Sequence, residues 1–205
     1  MTAGAASEAV DPIGRAAGAA LEGKLVVLPT ETVYGLGTRP DDPLATAALF
    51  DVKGRPRGLE LPVLVPSVSS ARRIGVFDER ADALALRFWA GPLTIVVPRS
   101  RGSIGWDLGG DGSTIGLRMP HHPLTLAVLA RTGPLAVTSA NRSGAPTPST
   151  CEELEEVFGQ SVEVYLCEPD PLRGLSSTVV DLAHGPMQVL RAGAVSERDL
   201  HAALA

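Results

Sequence analysis

At 205 residues, with 44% apolar and 20% charged side chains, the chain suits one globular domain that buries roughly 70% of its unfolded surface without a disulfide staple. Its apolar runs fall far short of a membrane span, and the opening MTAGAASEAVDP has neither a basic nor an apolar signal region, so a cytoplasmic protein with a disordered tail over residues 1–12 is expected. Its 18 basic and 23 acidic residues leave a net charge of −5, which argues against a globally basic nucleic-acid binder, though a local patch could hide in that sum.

The first periodic segment, 13–24, reads as a helix ending near Gly23, and the apolar run 25–29 as a buried strand closed by Pro29. PTETVYGLG follows, packing Thr30, Glu31, Thr32 and Tyr34 ahead of Gly35 and Gly37; buried Glu and Tyr need partners, and the glycines allow the backbone to fold tightly around a ligand. DPLATAALFDVKG is helical, stopped by Gly54 and Pro56. LPVLVP is a strand, DERADALALRFW an amphipathic helix and LTIVVP another strand. The Gly-rich stretch 99–112 has no steady period and reads as a long loop able to serve as a lid. STIGLRMP and PLAVTSA are strands on either side of the helix HPLTLAVLART. A further helix starts at Thr150, where Glu153 completes a capping box. VEVYL, STVVDL and MQVLRA are late strands, and 196–205 is a terminal helix capped by Ser196. This order predicts an α/β fold with a twisted, mixed parallel and antiparallel sheet flanked by helices. Cys151 and Cys167 have neither a CxxC partner nor a histidine at ligand spacing, so buried or incidental thiols are expected.

Polar clusters fall at strand ends, where open α/β sheets bind ligands. They supply the cations Lys53, Arg55, Arg118 and Arg191 together with the neutral groups of Thr30, Thr32, Thr114, Ser139, Asn141, Ser143 and Ser176 to Thr178. That set suits an oxygen-rich anion, such as a phosphate chain plus a carboxylate. Composition points the same way: all but two of the basic residues are arginine, the exceptions being Lys24 and Lys53, and Asn141 is the sole asparagine. Taken alone, KGRPRG also fits a solvated turn, and TSANRSG a capping loop with Asn141 in a left-handed turn. His121, His122, His184 and His201 lie outside the clusters, so a Ser-His-Asp triad has no support, and no GxxxxGK[ST] loop occurs.

The ordered set LPTETVYGLG, KGRP, FWAGPLTIVVP, TIGLRMPHHP, TSANRSG, SSTVVD and VLRAG resembles the YrdC/Sua5 family from about residue 13 to 195, with 196–205 as an added C-terminal helix. The resemblance is to the short single-domain form, and its KxR and SxN motifs stand here as Lys53-Gly54-Arg55 and Ser139-Ala140-Asn141. It implies a YrdC-like fold with a concave basic cavity that joins L-threonine, bicarbonate and ATP into threonylcarbamoyl adenylate and pyrophosphate. The product would pass to a tRNA threonylcarbamoyl transferase complex for t6A modification, with Mg2+ carried by ATP and no protein-built metal site. By position, Thr32, Arg118, Ser139 and Ser177 match the family's threonine contacts. Arg55, Thr114, Asn141, Ser149 and Arg191 match its ATP contacts, and Lys53 its signature lysine near the phosphates or bicarbonate; Lys53 and Arg55 are the catalytic pair. Leu61 and Pro66 replace a family Asn and His, so those contacts do not carry over. Two other readings remain open: a carbamoyl-adenylate-forming domain of a carbamoyltransferase or maturation system, and a noncatalytic RNA-binding module making weak RNA contact. No membrane partner is expected.

Overall fold

A computed structural model describes residues 11–205. Among them, seven α-helices alternate with nine strands that form one sheet. The expected tail falls largely on residues 1–10, outside the described residues, and the first helix already starts within its last two positions. Asp11 accepts from the Gly14 amide and Pro12 takes the first turn of α1 (Pro12–Leu21), where its missing N–H costs nothing.

Local signals account for most other helix boundaries. Asp42 caps α2 (Pro43–Lys53), which ends where Gly54 turns left-handed at φ 60°. Asp78 caps α4 (Glu79–Phe88), and Pro123 opens α5 (Pro123–Thr132). The capping box of Thr150 and Glu153 is formed at the start of α6 (Cys151–Phe158), and Ser196 caps α7 (Glu197–Ala203). The short helix α3 (Val68–Ile74), capped by Ser67, was not expected from the sequence.

The strands are β1 (Val26–Leu28), β2 (Gly35–Thr38), β3 (Val63–Leu64), β4 (Leu93–Pro98), β5 (Thr114–Arg118), β6 (Leu135–Ser139), β7 (Val164–Tyr165), β8 (Thr178–Asp181) and β9 (Gln188–Arg191). They lie in the order β7-β1-β2-β6-β3-β5-β4-β8-β9. The pairs β1/β7, β3/β5 and β4/β8 are parallel and the remaining pairs antiparallel, so the mixed sheet is as expected.

β2 corrects the expected tight turn. Gly35 and Gly37 are extended and pair with β6, and a Cβ on either would stand 2.5 or 2.6 Å from a methyl of Val137. These glycines make room for a neighbouring strand's side chain.

Because side chains alternate across a strand, the sheet has two distinct faces. One carries Val63, Ile95, Val97, Ile115, Leu117 and Val180 into the main core with Leu84, Leu108 and Leu200. On the other, α1 and α5 cover one end through Ala16, Ala20, Val128 and Leu129 packed on Val26, Leu28, Leu135 and Val137. The remaining strands of that face carry Thr94, Val96, Thr114, Gly116, Arg118, Val179 and Asp181, and there the sheet is the floor of a cavity.

The stretch 99–112 is pinned to the body. Buried Arg99 donates to the carbonyls of Thr114 and Trp106 and pairs with Glu60, Ser103 Oγ donates to the Ile74 carbonyl, and Leu108 is fully buried. Its Leu108 carbonyl and Gly110 amide bond Leu61 and Arg57, so the segment buttresses the chain around Glu60. Cys151 and Cys167 also depart from expectation: they form a disulfide between the first residue of α6 and the segment following β7. No helix of the described residues is long and apolar enough to cross a membrane.

Candidate active site

The cavity holds about 490 Å³ and is lined from segments far apart in sequence. Thr30, Thr32 and Tyr34 form one wall, Arg55 and Glu60 another, and Ser176, Ser177 and Arg191 a third, with Thr114, Gly116 and Arg118 on the floor.

The Thr30–Thr32 wall is rigid. Thr30 Oγ1 donates to the Val33 carbonyl at 2.6 Å, lies 2.8 Å from Thr32 Oγ1 and accepts from the amides of Thr32 and Val33. Glu31 is not part of the lining; it pairs with Arg118 at 2.9 Å and accepts from the His121 amide. Fully buried Tyr34 accepts the Glu168 amide on its hydroxyl, tying the wall to the chain after β7.

Three guanidiniums face this space, each braced mainly by neutral oxygens. Arg55 donates to the carbonyls of Leu59 and Glu60. Arg191 donates twice to the Ser177 carbonyl and once to Ser177 Oγ. Arg118 donates to the Gly91 carbonyl and Thr32 Oγ1 besides its pairing with Glu31. In all three, Nη1 has no partner among the described residues. Burial lowers the pKa of each; Arg191 further lowers Arg55, Arg118 further lowers Arg191, and Glu31 pulls Arg118 back up. Mutually repelling cations held in place this way are relieved by an anion placed among them.

The sequence-predicted residues divide in two. Thr32, Arg55, Thr114, Arg118, Ser139, Ser177 and Arg191 line the cavity. Lys53, Asn141 and Ser149 do not. Lys53 is 3% exposed at the end of α2, not in an exposed loop, and its Nζ donates to the Ser139 carbonyl at 2.5 Å, the Asn141 carbonyl at 2.7 Å and Asn141 Oδ1 at 3.0 Å. Those bonds use all three ammonium protons. Burial, with Arg55 adding repulsion, lowers its pKa to about 8. Asn141 is equally committed: its Oδ1 also accepts from Ser139 Oγ, and its Nδ2 donates to the carbonyls of Arg142 and Ala145. It is not left-handed, since no non-glycine described residue has positive φ. The KxR and SxN motifs thus meet as a clamp that presents Ser139 and Arg55 to the cavity. Ser149 is bound instead to Glu153 at the start of α6.

Sequence reasoning missed several lining residues. Glu60 pairs with Arg99 at 2.6 Å and accepts from Thr114. Asp181 and His184 line the cavity as a hydrogen-bonded pair, Oδ2 to Nδ1 at 2.8 Å, although His184 was expected outside the site. Thr94 faces Ser177 at 3.1 Å. The alternation Thr94, Val96 and Thr114, Gly116, Arg118 in two apolar strands was the available signal for the floor.

The family model Sua5_yciO_yrdC, described as Telomere recombination, matches residues 19–193. The chain belongs to the Sua5/YciO/YrdC family. Among relatives of this Sua5/YciO/YrdC chain, a Mycobacterium tuberculosis strain H37Rv protein provisionally named a threonylcarbamoyl-AMP synthase is 42% identical over 88% of the chain and 83% of that protein. The threonylcarbamoyl-AMP synthase of Pyrococcus abyssi is 38% identical over 87% of the chain but only 53% of its own length. The structure of P. abyssi Sua5 complexed with L-threonine superposes with a TM-score of 0.88 at 36% identity, covering 94% of the chain and 57% of that structure.

Proposed function

We infer that this chain is an L-threonylcarbamoyladenylate synthase, which condenses L-threonine, bicarbonate and ATP to threonylcarbamoyl-AMP, pyrophosphate and water. The observation that carries the reading is the convergence of Arg55, Arg118 and Arg191 on one cavity beside the Thr30–Thr32 wall. A zwitterionic hydroxy amino acid and a polyphosphate together are what such a lining complements. The threonine complex of the P. abyssi protein supports the amino-acid half.

In this mechanism Arg118 Nη1 takes the threonine carboxylate, and Thr32 with Ser177 takes the hydroxyl. The surrounding cations disfavour a protonated amine, so the free amine adds to bicarbonate or to CO2 derived from it, releasing water. The same cations stabilise the resulting carbamate. A carbamate oxygen then attacks the α-phosphorus of ATP, the bond to the β-phosphate oxygen breaks, and pyrophosphate leaves along Arg55 and Arg191. ATP enters as its Mg2+ complex. Rate enhancement comes from positioning and charge, without a side-chain base. Lys53 acts through the loop it holds, and Ser139 is the contact that loop presents. In this reading the product passes to a tRNA threonylcarbamoyl transferase complex for t6A formation, a role suited to a cytoplasmic protein.

Pyrophosphate release from ATP is the test, measured with and without L-threonine and bicarbonate, with L-serine and carbamoyl phosphate as alternatives. Release that requires both threonine and bicarbonate is expected. Release driven by carbamoyl phosphate would move the chain to a carbamoyl-adenylate chemistry, and salt-sensitive RNA binding without turnover would make it an RNA module.

A further inference from the structure

The cavity is chemically lopsided along its strands. Arg118 and Thr114 are the two ends of β5, four residues or about 13 Å apart in extended chain. Ser177, which holds Arg191, precedes β8 on the Arg118 side, because Thr94 of β4 bonds Ser177 while the Ile95–Leu117 register sets Thr94 beside Arg118. Arg118, Ser177 and Thr32 therefore crowd one end. The other end holds Thr114 with Glu60.

Two carboxylates line this cation-rich cavity, Glu60 and Asp181, and Asp181 is already committed to the Ala183 amide and His184 Nδ1. Glu60 Oε1 is committed to Arg99 at 2.6 Å, with side chains only 18% and 2% exposed. Its Oε2 has a single partner among the described residues, Thr114 Oγ1, at 3.2 Å, long for a hydroxyl donating to a carboxylate. A carboxylate oxygen accepts more than one hydrogen bond, so Oε2 retains capacity. Burial raises the Glu60 carboxyl while Arg99 pulls it back down. A phosphate would be repelled here; a ligand hydroxyl would be accepted. Of the substrates in the reaction above, threonine, bicarbonate and the ribose of ATP carry hydroxyls; threonine and the bicarbonate its amine attacks belong to the Arg118 end, about 13 Å away along β5, which leaves the ribose.

We propose that Glu60 accepts a hydrogen bond from a ribose hydroxyl of the nucleotide, making it the residue that selects ribonucleotides over deoxyribonucleotides. The inference rests on the ATP-dependent reading above. It also assigns a task to the pinned segment 99–112: through Arg99 it fixes the carboxylate, and the Glu60 backbone carbonyl in turn holds Arg55 Nη2 at 2.9 Å. Sugar and phosphate contacts are thereby set by one short stretch of chain.

The experiment compares ATP, 2′-deoxy-ATP and 3′-deoxy-ATP in the unmodified chain, Glu60→Gln and Glu60→Asp, by steady-state pyrophosphate release and by calorimetric binding. The unmodified chain should discriminate against at least one deoxy analogue by about tenfold or more, the range of a hydrogen bond to a charged group. In Glu60→Gln the gap should narrow to roughly threefold, mainly because the KM for ATP rises while that for the analogue hardly moves. Glu60→Asp keeps the charge beside Arg99 but withdraws it by one methylene, and should narrow the gap even if Glu60→Gln folds poorly. Equal use of all three nucleotides by the unmodified chain overturns the inference. So does an equal loss for all three in both variants, which would make Glu60 only a support for Arg99. Binding decides the matter without turnover: ATP bound without discrimination sinks the ribose contact alone, whereas no ATP binding removes the synthase reading and the inference with it.

Discussion

Residue by residue, the two halves of the KxR motif do different work. Arg55 is half-buried and lines the cavity together with Arg191, and in both Nη1 has no partner among the described residues. Arg55→Ala and Arg191→Ala should each lower threonine-dependent pyrophosphate release by about 100-fold, as losing one preorganised charge donor does, with the urea midpoint little changed. Lys53 differs because its ammonium is walled in by three oxygens. Lys53→Met should therefore lose stability as well as activity, since it leaves those acceptors unpaired. Its pH behaviour carries a definite sign. The folded pKa is about 8 against an ordinary 10.5, so between these values the unfolded chain binds the proton that the folded chain has released. Stability from this group therefore rises with pH across that window. Urea unfolding at pH 8 and pH 10 should show this gain in the unmodified chain relative to Lys53→Met, and parallel curves would show that Lys53 is not depressed.

At the level of elements, strands and helices were legible where their signal is local. Thr150 and Glu153 announce α6 by spacing alone, and Asp42 with Gly54 bracket α2, because caps are satisfied within a few residues of chain. β2 was not legible: Gly-Leu-Gly-Thr has little intrinsic strand preference, and it is extended because β1 and β6 pair with it on both sides. Its glycines are a packing requirement. Val137 is nearly buried and directs one methyl at Gly35 and the other at Gly37, so turning its side chain relieves neither contact. Gly35→Ala should cost about 1–3 kcal/mol in urea denaturation, the usual range for overpacking. An unchanged midpoint would mean that β2 and β6 are not so closely packed.

Across the whole molecule, one disulfide ties together two segments that lie outside the sheet. Cys151 and Cys167, 16 residues apart, join the start of α6 to the chain leading to Ser176 and Ser177, and the Leu172 amide bonds the Ser149 carbonyl within the same tie. For a loop of this length the chain-entropy model gives about 3 kcal/mol. Reduction, or Cys151→Ser, should lower the unfolding free energy by that order in a denaturant titration run with and without thiol. Equal stability in both conditions would show that the bond contributes nothing. The sequence by itself determined the alternation of elements, the mixed sheet and the residue types of an anion-binding crevice, since periodicity, caps and composition act over a few neighbouring residues. Only the tertiary structure decided that Lys53 and Asn141 turn inward as a clamp, that Glu60, Asp181 and His184 enter the cavity, and that the two cysteines meet. Each of those outcomes depends on which segments pack side by side in space, and spacing along the chain carries no record of that.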